Sequence, residues 1–101
     1  MQPSECGLLS DFVKGLTSPT RLRILCALRG GAKRVTDIVM ETGGKQANIS
    51  IQLGIMRQKG ILAARREEGN VFYSIADHRV LEALELLLAV AKGTRTRETR
   101  V

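Results

Sequence analysis

The sequence predicts a mainly α fold with a small β-hairpin, a winged helix-turn-helix of five helices plus a two-stranded wing, working as a dimer. Three observations predict it. Two amphipathic segments, 35–42 and 45–59, are separated only by Gly43-Gly44. An apolar-basic run (61–66), a polar tip (Glu67-Glu68-Gly69-Asn70) and an alternating run (71–75) follow at once. The charge agrees with this order: from Arg29 to Arg66, eight Lys/Arg stand against two acids, Asp37 and Glu41, a surplus equal to the formal net charge of +6 on the whole chain of 101 residues.

Leu8, Leu9, Phe12, Val13 and Leu16 repeat at helical spacing, which predicts a first helix over 7–16, ended by Thr17-Ser18-Pro19. Ser18 is a good N-cap and Pro19 a good first helical residue. A second helix then runs over 19–29 and stops at Gly30-Gly31. Its apolar residues Leu22, Ile24, Leu25, Cys26, Ala27 and Leu28 cover nearly the whole circumference. Such a helix belongs in the middle of a domain.

In the third helix, Ile38 and Val39 are the buried contacts, and Gly43-Gly44 supply the positive φ of a sharp turn. The fourth carries Ile49, Leu53 and Met56 on one face and Ala47, Asn48, Ser50, Ile51 and Gly54 on the other. A glycine inside a helix costs about 1 kcal/mol relative to alanine. Gly54 either admits a close approach or is simply tolerated. Glu68-Gly69-Asn70 gives the wing its turn chemistry. Asp77 caps a last helix over 78–92, whose apolar stripe is Val80, Leu81, Leu84, Leu87, Leu88 and Ala91. The segment 93–101 has no apolar period and reads as a flexible tail.

A chain of this length forms one domain, 1–101, with a thin core that oligomerisation would help. The N-terminal residues lack a charged region followed by an apolar one, so no signal peptide is expected. No apolar run approaches the ~18 residues that cross a bilayer. The longest, 80–91, contains Glu82 and Glu85. A cytoplasmic protein is expected, in which two cysteines are no disulfide scaffold.

A helix in the major groove reads base edges through short polar side chains. Here these are Gln46, Asn48, Ser50 and Gln52, with Ile51 or Ala47 able to touch a thymine methyl. Lys45 and the helix N-terminal amides suit phosphates, Arg57 and Lys59 suit backbone contact, and Arg65, Arg66 and Asn70, at the tip, suit an adjacent groove or phosphate. A merely solvated helix face has the same composition. The glycine turn before it and the basic wing after it favour double-stranded DNA. An enzyme is not expected: there is one His, no carboxylate pair in a plausible cleft, and no phosphate loop, since Gly43-Gly44-Lys45 lacks the required spacing. No cofactor is implied. The alternative is a protein-protein interaction module that uses the last helix and lacks operator specificity, and such a module has no need of a basic wing.

Ser18-Pro19-Thr20-Arg21-Leu22-Arg23-Ile24-Leu25 resembles a helix signature of the ArsR/SmtB family of winged-helix repressors. Gln46 to Leu53 is similar to that family's recognition helix, and Arg65 to Ile75 to its wing, so the likeness covers 12–92. The resemblance implies a homodimeric repressor, joined through its first and last helices, that an inducer releases from a palindromic operator. The last helix points the same way by itself, because its stripe is wider than a small monomer needs. The expected seam residues are Leu9, Phe12, Leu81, Leu84 and Leu88. Two copies would hold their recognition helices about one DNA turn (~34 Å) apart.

The sensing residues depart from the family pattern. The Cys-x-Cys pair of metal-sensing members has no counterpart in Arg34-Val35-Thr36-Asp37-Ile38. Asp77-His78 resembles the start of another family zinc site, but Arg79, Val90 and Gly93 occupy the remaining positions. A lone His cannot build a tetrahedral zinc site, so no metal is expected. Asp77 reads as a helix cap and His78 as a surface residue. Cys26 resembles a position used by persulfide- and redox-responsive members, although the second cysteine of those members is missing from the last helix. Cys6 would substitute if the N-terminal arm folded back. Thiols suit a thiol-reactive species or a metalloid as inducer. The other reading makes Cys26 a small buried apolar residue.

Overall fold

The computed structural model describes residues 1–98, and the last three residues of the expected tail, 99–101, lie outside them. Helix α1 (Pro3–Lys14) starts earlier than its apolar spacing suggests. Pro3 stands in its first turn, and the Gln2 amide donates to Glu5 Oε1 at 2.6 Å. Local capping chemistry of this kind leaves no hydrophobic period. Helix α2 (Pro19–Ala27) begins as expected, with Ser18 Oγ accepting from the Arg21 amide at 3.1 Å. It is not buried all round: Ile24, Leu25, Ala27 and Leu28 enter the core, but Leu22 and Cys26, one turn apart, are exposed. A full circumference of apolar residues here means a core face plus a second apolar surface.

Strand β1 (Lys33–Arg34) was not expected. It pairs antiparallel with β3 (Asn70–Ile75), which also pairs with β2 (Leu62–Glu67). The wing is therefore part of a three-stranded sheet of order β1-β3-β2, not a two-stranded ribbon. Two residues are too few to show alternation. Helix α3 (Val35–Thr42) ends at Gly43, whose φ of 72° is left-handed. Of the Gly43-Gly44 pair, only Gly43 has positive φ. Gly44 is needed for space, since a Cβ there would lie 2.9 Å from the Ile49 side chain. Helix α4 (Gln46–Gln58) and, after the sheet, α5 (Arg79–Glu98) complete the chain. The residues 93–98 are helical where the sequence suggested irregular chain. An established helix propagates cheaply through Thr and Arg, and Thr94 Oγ1 donates back to the Val90 carbonyl at 2.9 Å.

The core is Ile24 and Leu25 of α2 with Leu28 at its C-cap, Ile38 of α3, Ile49, Leu53 and Met56 of α4, and Leu16, Ile61, Leu62, Ile75 and Val80 around them. Helix α1 contributes no buried residue. The radius of gyration, 15.5 Å, exceeds the ~13 Å of a compact chain of this length. A helix of 20 residues, about 30 Å long, accounts for the excess.

Glu67 pairs with Asn70, so the wing turn is the two-residue loop Glu68-Gly69, and Asn70 belongs to the strand. Both loop residues have positive φ, 50° and 80°, as a type I′ turn requires. Among the described residues Glu68 is the one non-glycine in that region, a position that suits Asn far better. Glu68→Asn is expected to stabilise the protein by about 0.5 kcal/mol, roughly 2–4 °C in Tm at fixed protein concentration. An unchanged or lower Tm contradicts this.

Candidate nucleic-acid interface

Helix α4 is anchored by one face and bare on the other. Ile49, Leu53 and Met56 are fully buried. The turn that aims the helix is closed by Thr42, whose hydroxyl donates to the Ile38 carbonyl at 2.8 Å and accepts from the Gly44 amide at 3.3 Å. Lys45 is the N-cap residue, and its side chain makes no cap bond. Gln46, Asn48, Ser50, Ile51 and Arg57 are all exposed, Ile51 to 59%. Ser50, Ile51, Gly54, Ile55, Arg57 and Gln58 border an open hollow of about 540 Å³, closed on one side by Tyr73 of β3. A Cβ on Gly54 would meet nothing within 4 Å, so this glycine serves no close approach inside the protomer. Gln52 stands apart from the other residues expected to read bases. It is half-buried and accepts a 2.8 Å bond from Arg21 Nε.

The basic block is divided by its partners. Arg29 pairs with Glu85 at 3.5 Å, Arg34 with Asp37 at 3.4 Å, Arg65 with Glu67 at 3.0 Å, and Lys33 with Glu41. Lys45, Arg57, Lys59 and Arg66 have no ion pair among the described residues. The four uncompensated cations of the block all lie at the ends of α4 or on the wing. This separation is invisible in a charge count, because Glu67 and Glu85 lie outside the counted block and pair back into it.

The two wing arginines are unequal. Arg65 lies over the Phe72 ring at 5.3 Å, its cross-strand neighbour, and is held by Glu67 as well. Arg66, on the opposite face of β2, is exposed and unpaired among the described residues. Asn70 is exposed beside the acidic turn.

On the far side of the domain, α1 and α5 present apolar surface with nothing over it. Leu8, Leu9 and Phe12 are 74%, 48% and 38% exposed, and Leu86, Leu87 and Leu88 are 71%, 61% and 53% exposed. Leu81 and Leu84 are half-buried against the core. Between α1, α2 and α5 lies a groove of about 420 Å³, lined by Leu16, Leu22, Leu25, Cys26, Leu81 and Leu88 among others. Cys26 is exposed there, which corrects its reading as a buried apolar residue; Cys6 is exposed on α1, and both thiols are free. Among the described residues no cluster of His, Cys, Asp and Glu has the makings of a metal site. Asp77 instead accepts the Arg79 amide at 3.0 Å and the Arg79 guanidinium at 2.6 Å, which hold its carboxyl down at about 2. No described helix is long and apolar enough to cross a membrane.

Comparison with known proteins agrees with this geometry. Residues 18–64 match the bacterial regulatory protein, arsR family. The HTH-type transcriptional regulator Rv0081 of Mycobacterium tuberculosis is 37% identical over 91 residues, covering 89% of this chain and 76% of that one. Its crystal structure superposes with a TM-score of 0.83 at 31% identity over 98% of this chain and 99% of the other. A biofilm growth-associated repressor of Agrobacterium fabrum is 33% identical over 79 residues, 78% of this chain and 68% of that one. The homodimeric winged helix-turn-helix DNA-binding domain Mb0332 of Mycobacterium bovis, 28% identical, superposes with a TM-score of 0.78 over 96% of this chain and 93% of that one. The chain thus belongs to the arsR family of bacterial regulatory proteins, winged helix-turn-helix transcriptional regulators.

Proposed function

We propose that this protein is a homodimeric cytoplasmic repressor that grips a palindromic operator through α4 and the wing and leaves it when an inducer binds. The observation that carries the reading is the placing of uncompensated charge. Lys45, Arg57, Lys59 and Arg66 surround a bare face of amides and hydroxyls, while the other cations of the block are neutralised within the chain. Phosphates positioned by such cations set the register in which Gln46, Asn48, Ser50 and Ile51 meet base edges. The uncovered faces of α1 and α5 support the dimer, with Leu9, Phe12, Leu81, Leu84 and Leu88 in its seam. A thiol-reactive species or a metalloid as inducer is supported by the two exposed thiols. An interaction module without operator specificity would leave the unpaired cations around α4 unexplained.

Salt titration of binding to a random duplex tests this reading, since log K falls linearly with log salt in proportion to the phosphates neutralised. A steep negative slope is expected. Arg66→Ala is expected to reduce its magnitude by about 1 per protomer. Arg65→Ala is expected to change it much less, because Glu67 already compensates that charge. A slope near zero, or Arg65 outweighing Arg66, contradicts the assignment.

A further inference from the structure

Arg21 lies on neither the reading face nor the wing, yet its guanidinium joins three elements. It sits half-buried in the first turn of α2. Nε donates to Gln52 Oε1 at 2.8 Å, and Nη1 donates to the Lys14 carbonyl at the end of α1 at 3.1 Å. Gln52 Nε2 in turn faces Asn48 Oδ1 across 3.5 Å, one helical turn back along α4. A guanidinium has donors and no acceptor. Gln52 must therefore offer Arg21 its carbonyl oxygen, which leaves its NH2 toward Asn48. The Asn48 oxygen is drawn inward by that NH2, and the Asn48 NH2 is left to face outward. The choice of amide orientation, open for an isolated Asn or Gln, is settled here by a donor-only neighbour.

We infer that Arg21 is a positioning residue for base selection: by polarising Gln52 and then Asn48, it makes this flank of α4 offer hydrogen-bond donors only. The inference rests on the proposed DNA-reading role of α4. An amide free to offer both its groups pairs bidentately with adenine, donating to N7 and accepting from N6. A donor-only amide has lost that second bond. It matches guanine, whose major-groove edge presents two acceptors, N7 and O6. The base under Asn48 in each half-site is therefore guanine in preference to adenine. The Lys14 carbonyl takes an Nη1 hydrogen while Nε holds Gln52, so two of the five N–H donors of Arg21 fix the guanidinium in place.

The test selects duplexes from a randomised pool with the full chain and sequences those retained. The wild type is expected to enrich guanine over adenine about tenfold at one position in each half-site. Gln52→Glu keeps the Arg21 partner but accepts only, so Asn48 turns its NH2 inward and its oxygen outward. Preference at that position then moves to a base with an exposed amino group, cytosine or adenine. Arg21→Met removes the polarising donor and levels guanine against adenine, with some loss of Tm from the two lost hydrogen bonds and with affinity for a random duplex near wild type. Two results overturn the relay: unchanged base preference in both variants, or an Arg21→Met variant that binds every duplex more weakly with its preference intact. The second would make Arg21 a phosphate contact. If the wild type binds duplex without selecting any sequence, the reading role of α4 fails and takes this inference with it.

Discussion

Leu88→Glu is expected to give monomers in sedimentation velocity and to lose operator binding with them. Leu88 is 53% exposed in the single chain, so a glutamate there stays in water and leaves the protomer folded. Across a twofold seam the same carboxylate is buried without a cation, and it is buried twice. An uncompensated buried charge costs about 3–5 kcal/mol, at least a hundredfold in dissociation constant. The seam follows from what the chain leaves uncovered. No residue of α1 is buried, and Leu86, Leu87, Leu88 and Val90 of α5 are each more than half exposed. Contiguous apolar surface of this kind marks an interaction site. The charge-neutral control Leu88→Ala is expected to weaken the dimer less. An unchanged sedimentation profile for Leu88→Glu would refute the seam.

Ser50→Glu is expected to abolish operator binding while the dimer survives. Ser50 is exposed on α4 at the border of the hollow closed by Tyr73, on the flank beside the core face of Ile49, Leu53 and Met56. A carboxylate there faces phosphate oxygens and the acceptors of most base edges. A loss of about 2 kcal/mol per half-site doubles in a dimer on a palindrome, which is roughly a thousandfold in Kd. Sedimentation and Tm are the controls. Wild-type affinity in this variant would remove α4 from the interface.

Much of this architecture was legible from local pattern. The period of Ile49, Leu53 and Met56, the break at Gly43 and the cap at Ser18 each depend on neighbours within a turn or two, and the structure places them accordingly. What was not legible depends on distant partners. Strand β1 exists because Lys33 and Arg34 meet Tyr73 and Phe72, some forty positions later. Cys26 read as buried because the second apolar face of α2, open to the groove, looks the same in sequence as a core face. Arg65 and Arg66 are adjacent and chemically identical, and only the pleat of β2 puts one over Phe72 and the other in solvent. The bond of Gln52 to Arg21 spans 31 positions and leaves no local pattern.

Hydroxyl-radical footprinting on a selected operator duplex tests the central claim, that two recognition helices from a dimer grip one face of DNA. Two protected patches related by a dyad, with centres about one helical turn or ~34 Å apart, are the expected result. A single patch, or no protection at modest ionic strength, would contradict the account.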